Sequence, residues 1–106
     1  MVEVELPQFA GPTGSEAEVT RRYQRFSRLL APLASPIVRL TLSARHAWQL
    51  SLANGMEFKL GRDGDEAERR LARYVDAYLA APADTPPTGA IVDLRYPNGF
   101  SVRVKG

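Results

Sequence analysis

The sequence predicts an α+β fold: a mixed, mainly antiparallel β-sheet with two helices packed on one face and an exposed C-terminal edge strand. Three observations lead there. Short segments alternate apolar and polar residues at period two, as half-buried strands do. Two longer segments repeat apolar residues at steps of three and four, as amphipathic helices do. The order of these patterns, strand, helix, three strands, helix, two strands, joins hairpins through helices and fits a mixed two-layer domain. At 106 residues, 44% hydrophobic and 25% charged, the chain is expected to form a single domain over residues 1–106.

The first strand is expected over Val2 to Leu6, where Val2, Val4 and Leu6 share a face and Pro7 closes the run. Gly11-Pro12-Thr13-Gly14 is a turn. Ser15-Glu16-Ala17-Glu18 then has the form of a capping box opening a helix from about Glu16 to Ala31. Val19, Tyr23, Phe26, Leu30 and Leu33 form its apolar face, while Arg21, Arg22, Arg25 and Arg28 fall on the solvated side. Pro32 and Pro36 prevent a long continuation. Two strands follow: Ile37 to Ser43, with Val38, Leu40 and Leu42 inward, and Ala47 to Ala53, with Trp48, Leu50 and Leu52 inward. Asn54-Gly55 is a hairpin turn able to supply two positive φ values, leading into a strand over Met56 to Leu60. Gly61 to Gly64 reads as a loop. Asp65 with Glu68 offers a second cap, before a helix with Ala67, Leu71, Tyr74, Val75 and Tyr78 on its apolar face, reaching about Ala80. Pro82, Pro86, Pro87 and Gly89 mark a linker. The last hairpin runs from Ile91 to Tyr96 and from Phe100 to Lys105 around Pro97-Asn98-Gly99.

Composition restricts the chemistry. No cysteine and a single histidine, His46, exclude disulfides, thiol nucleophiles, Cys-ligated zinc and His-cluster metal sites. The acids sit mostly at capping or helix-surface positions, so no acid/base constellation can be assembled; an enzyme is not expected, nor a cofactor or a metal. Gly11 to Ser15 lacks the Gly-Lys-Ser/Thr ending of a phosphate-binding loop and reads as a turn feeding a helix. A formal charge of +2 does not demand nucleic acid. Glu16 and Glu18 precede the arginines of the first helix, and Glu66 and Arg70 lie four apart on the second, as solvated helix faces do. Trp48 reads as core. No stretch approaches the roughly 18 apolar residues of a membrane span, and no charged-then-apolar leader opens the sequence.

The final segment stands apart. As the last strand of the sequence it is expected to be a sheet edge, with unpaired N–H and C=O groups facing outward, and Arg103 and Lys105 as charges that discourage indiscriminate pairing. Such an edge is a docking rail for an extended peptide, or simply a protected edge.

Several blocks resemble the C-terminal β domain of the FtsQ/DivIB family of bacterial cell-division proteins. They are Leu6-Pro7 with Gly11-Pro12-x-Gly14-Ser15-x-x-x-Val19; Leu42-Ser43-Ala44-Arg45-x-x-Trp48-Gln49-Leu50-x-Leu52-x-Asn54-Gly55; Leu60-Gly61-Arg62; Arg70-Leu71-Ala72-Arg73-Tyr74; and Val92-Asp93-Leu94-Arg95-Tyr96-Pro97-Asn98-Gly99-Phe100. They keep the family's order and span nearly the whole chain.

The resemblance implies a non-enzymatic divisome scaffold. The family plan is a short cytoplasmic tail, one inner-membrane helix, a POTRA domain and then this β domain on the periplasmic side at the septum. Against that plan the sequence is expected to hold the β domain without the tail, the membrane helix, the POTRA domain and the first β-domain hairpin. The resemblance further implies binding of FtsB, and of FtsL through it, by strand addition to the last strand, with no nucleic acid and no small-molecule substrate. Carried over by position, Arg95 and Tyr96 match residues that capture FtsB, and Arg45 matches a basic residue that meets acidic FtsB side chains. Asn98, Gly99 and the strand Phe100, Ser101, Val102, Arg103 and Val104 match the turn and the rail, Val104 standing where some relatives have tryptophan. The alternatives are a β-domain fragment that self-associates through the same edge, and a weak nucleic-acid-binding module resting on the first helix's arginines.

Overall fold

In the computed structural model, residues 7–33, 35–80, 89–96 and 99–104 are described. The elements are β1 (Gln8–Ala10), α1 (Glu16–Leu29), a 3₁₀ turn (Ala31–Leu33), β2 (Ile37–Leu42), β3 (Ala47–Leu52), β4 (Glu57–Arg62), α2 (Gly64–Ala80), β5 (Ala90–Asp93) and β6 (Ser101–Val104). They make one six-stranded sheet in sequential order, β1-β2-β3-β4-β5-β6. The expected α+β class and the order of helices and strands are therefore found.

The topology explains why both helices share a face. β1 and β2 are parallel and joined through α1; β4 and β5 are parallel and joined through α2; the other neighbours are antiparallel. Both crossovers step sideways in the same direction from strands of the same polarity. The right-handed rule for such connections then puts both helices on one side of the sheet. There α1 packs on β2, α2 on β4, and the helices on each other. Phe26, Leu30, Leu40, Leu50, Phe58, Leu60, Leu71 and Val92 form the centre of a single core. Trp48 is buried and meets Phe26 edge-on at 5.9 Å. The opposite face, with Arg39, Thr41, Gln49, Ser51 and Lys59, stays at least partly solvated.

The structure revises several local expectations. The segment Val2 to Leu6 lies outside the described residues, and a strand forms instead just past Pro7, at Gln8–Ala10, parallel to β2. Ser15 does not cap α1 with its side chain; its hydroxyl donates to Pro12 O at 2.6 Å, and Glu18 faces Arg21. The second cap is Asp63, whose Oδ1 accepts from the N–H groups of Asp65 (3.0 Å) and Glu66 (3.4 Å). A bulge between Ile37 and Arg39 turns Ile37 into the core, leaving Val38 only partly covered.

At Asn54-Gly55 the positive φ is found at Gly55 (+89°) and not at Asn54. The N–H of Gly55 donates to Leu52 O, and the Asn54 side chain accepts from the N–H of Met56, closing a three-residue loop with glycine in the left-handed position. The expected loop at 61–64 shrinks, because Gly61 and Arg62 continue β4 through a bulge opposite Trp48 and Gln49. Gly61 takes φ +82° there, a value that glycine adopts freely.

Arg22 also departs from its expected solvated place. It is 9% exposed and lies between the helices, bonded to Glu68 and, at 3.1 Å, to Asp65, while Arg25 reaches the same Glu68 at 2.6 Å. Its guanidinium lies against the backbone at Gly64, where an added Cβ would overlap it. Glycine opens α2 so that this arginine can pass. Of the expected linker, Pro82, Pro86 and Pro87 lie outside the described residues, and Gly89 stands in a turn just before β5.

Candidate partner-binding edge

β5 carries Ala90 and Val92 into the core, and the chain stays tied to the sheet one residue further, where the N–H of Leu94 donates to Lys59 O at 2.9 Å. This anchor brings Arg95 and Tyr96 to the surface at the end of the sheet. Asp93 holds Arg95 by a two-pronged pair, Nε to Oδ1 at 2.8 Å and Nη2 to Oδ2 at 2.7 Å, and its Oδ1 also accepts from the Arg95 N–H at 3.1 Å. The hydrogen bonds from the Arg95 guanidinium lower the Asp93 pKa, and the same pair raises that of Arg95. Tyr96 is 52% exposed.

β6 follows. Its register with β5 sets Ser101 opposite Asp93, Val102 opposite Val92, Arg103 opposite Ile91 and Val104 opposite Ala90. Val102 therefore shares the helix-side face with Val92, yet Val92 is fully buried and Val102 is 40% exposed. The helix layer stops short of this strand: α2 packs on β4. Phe100, also 40% exposed, meets Tyr74 edge-on at 5.0 Å, and Tyr74 meets Phe58 at 5.2 Å on the core side. Phe100 is thus shared between fold and surface. Ser101 and Arg103 are exposed. Among the described residues β6 is the outermost strand, with no strand paired on its far side. Asn98 lies outside the described residues; Gly99 has φ +153°.

Arg45 arrives from another direction. In the β2–β3 turn, Ser43 Oγ accepts from the N–H groups of Arg45 (3.2 Å) and Ala47 (3.1 Å), and His46 takes φ +63°. The turn delivers Arg45 to the rim of a groove of about 440 Å³ that Arg95 also lines. The structure so brings together Arg45 and Arg95, which stand fifty residues apart in the sequence. The rail, Phe100 to Val104, extends from the Arg95-Tyr96 segment at the sheet edge.

Two residues that the sequence does not mark as site residues, Arg62 and Arg70, line the same groove. Arg70 donates to Leu60 O at 3.0 Å and lies 3.6 Å from Glu66, the helix pair that its spacing announced. Arg62 was assigned to a loop. The signal that could have placed it is Gly61: a glycine inside an otherwise strand-like run points to a bulge.

The arrangement is that of a two-layer α+β domain in which, among the described residues, β6 has no strand on its outer side, with an arginine-lined groove at one end. A family model described as the C-terminal region of cell division protein FtsQ/DivIB matches residues 1–95. Among similar proteins, the cell division protein FtsQ of Burkholderia pseudomallei is 42% identical over 99% of this chain and 43% of its own length. That of Bordetella pertussis is 37% identical over 92% of this chain and 41% of its own length, and that of Allochromatium vinosum 41% identical over 92% and 38%. The chain belongs to the FtsQ/DivIB family of cell-division proteins, and it spans about two-fifths of the length of these relatives. No helix among the described residues is long and apolar enough to cross a membrane.

Proposed function

We propose that this domain is a non-enzymatic scaffold of the bacterial divisome that captures FtsB, and FtsL through it, by adding an FtsB strand to the outer side of β6. In this reading the parent protein is anchored in the inner membrane and presents the domain on its periplasmic side at the septum. The observation that carries the proposal is the position of β6: last in the sheet, with its apolar face half uncovered beyond the end of the helix layer.

Magnitudes explain why the rail needs neighbours. Five or so new backbone hydrogen bonds, at about 0.5–1.5 kcal/mol net each, supply several kcal/mol. Association costs about 4 kcal/mol or more in lost freedom. Side chains must supply the surplus. Tyr96 offers a half-exposed ring, and Phe100 and Val102 offer apolar surface on the helix side. Arg45 and Arg95 offer charge-assisted bonds to acidic side chains.

NMR titration of the ¹⁵N-labelled domain with an FtsB C-terminal peptide tests this. The expected perturbations lie at Arg45, Arg95, Tyr96 and β6. Shifts confined to residues remote from the last hairpin reject the site.

A further inference from the structure

Among the described residues, two buried side-chain polar atoms have no hydrogen-bond partner: Nε of Arg22 and the hydroxyl of Tyr74. The fold accounts for the first, since the other guanidinium nitrogens of Arg22 donate to Glu68 and Asp65. It does not account for the second. A buried hydroxyl without a partner forfeits its bonds to water, and phenylalanine would fill the same space without that loss. The position of Tyr74 shows where the hydroxyl is placed. Its ring lies edge-on to Phe58 at 5.2 Å and to Phe100 at 5.0 Å. Phe58 belongs to β4 and Phe100 immediately precedes β6. Those strands are two spacings apart, about 9.6 Å, so the two ring contacts span the gap with the Tyr74 ring over β5. In the same cross-strand row as Phe58, Val92 is fully buried and Val102 is 40% exposed. Tyr74 therefore stands where the cover of the helix layer gives out. Burial, and then the nearby Tyr78, raise its pKa, so the phenol stays neutral, with one O–H to donate and lone pairs to accept.

We propose that Tyr74 is a specificity-determining residue of the β6 edge, its hydroxyl pairing with an uncharged hydrogen-bonding side chain, a hydroxyl or a carboxamide, on the helix-side face of the added strand. The proposal rests on the reading of β6 as a docking rail, and it names chemistry that the incoming strand must carry. A strand paired to the outer side of β6 stands about 4.8 Å beyond it, and its alternate residues point to the helix side. The residue beside Val102 projects into the open space above that short side chain, towards Tyr74. Phe100 is the cover: it lies against Tyr74 and is 40% exposed, so its ring can turn towards solvent and admit the incoming group. An uncharged group follows from the surroundings. Phe58, Val92, Phe100 and Val102 are apolar, and an ion brought among them would give up its hydration for one neutral hydrogen bond. An apolar side chain in the same place would leave the hydroxyl bare, and a site with an unpaired buried polar group discriminates against the partner that fails to pair it.

The test is a set of double-mutant cycles by isothermal titration. An FtsB C-terminal peptide, and variants of it with alanine at each residue in turn, are titrated into the parent domain and into Tyr74→Phe, which keeps both ring contacts. Tyr74→Phe is expected to unfold in urea at a midpoint no lower than that of the parent, yet to bind the native peptide about fivefold more weakly, the loss of one net hydrogen bond. That loss should be coupled to a single serine, threonine, tyrosine, asparagine or glutamine of the peptide: in the variant lacking it, Tyr74→Phe has no further effect. In the parent domain labelled at tyrosine ¹³Cζ, the Tyr74 resonance should shift with the native peptide and not with that variant. Amide exchange of β6 is followed in every complex. Unchanged affinity of Tyr74→Phe with β6 still protected overturns the proposal and leaves the rail standing. A lowered urea midpoint shows that the hydroxyl is satisfied within the fold and also overturns it, as does coupling to a charged or an apolar residue. Binding that leaves β6 unprotected fails the rail itself, and Tyr74 with it.

Discussion

Replacing Tyr96 by alanine tests whether this residue serves binding rather than folding. A tyrosine side chain presents about 150–250 Å² of surface, and Tyr96 is 52% exposed. About 100 Å² therefore remains for a partner to cover. At about 25 cal/mol per Å² this sets a ceiling near 2.5 kcal/mol for the ring's contribution to binding. Incomplete cover and ordering of the ring reduce it to about 1–2 kcal/mol, or roughly five- to thirtyfold in Kd. The stability loss is smaller, about 1 kcal/mol, because part of the covered area is main chain and Cβ, which alanine keeps. Isothermal titration with an FtsB C-terminal peptide reads the first quantity and urea unfolding reads the second. Tyr96→Phe, which keeps the ring, should retain most of the affinity. A Kd for Tyr96→Ala within twofold of the parent value, in a folded domain, refutes the anchoring role.

Phe100→Ala should show the opposite balance. With its ring against Tyr74, the substitution should lower stability by about 2 kcal/mol in urea unfolding, and an unchanged midpoint would show that the ring serves the partner alone. Arg22→Ala removes a guanidinium from between the helices and leaves the largely covered Glu68 with Arg25. A loss of about 2 kcal/mol or more is expected, against less than about 0.5 kcal/mol for Arg21→Ala, and equal losses would contradict the structural role. Asp93 gives a pH dependence. Its pKa is lowered in the folded domain by Arg95, so its contribution is present above the ordinary carboxylate pKa of about 3.9 and is lost as pH falls through the lower folded value. The stability difference between the parent domain and Asp93→Asn should be full at pH 7 and shrink below about pH 4; a difference that grows on acidification contradicts the sign.

What was legible in the sequence depended on how local its cause is. Trp48, Leu50 and Leu52 alternate with polar residues on a regular strand, and all three are buried. Val19, Phe26 and Leu30 recur at helical spacing, and all three reach the core. The errors arise where a neighbour decides. Bulges shift Ile37 inward and carry β4 on to Arg62, and a bulge is a property of two paired strands rather than of one run. Arg22 looks like any surface arginine until α2 supplies Asp65, Glu68 and the clearance at Gly64. At the site, Arg45 and Arg95 were carried by family resemblance, whereas Arg62 and Arg70 join them only through the Gly61 bulge and the packing of α2 on β4.

The most direct measurement is amide hydrogen exchange of β6, residues 101–104, in the free domain and when saturated with the FtsB peptide, together with backbone NOEs between the two chains. The account predicts that amides on the outer side of β6 exchange freely alone, become protected in the complex, and show cross-strand NOEs to the peptide. Saturation with β6 exchange unchanged, or protection appearing along β1 instead, would contradict it.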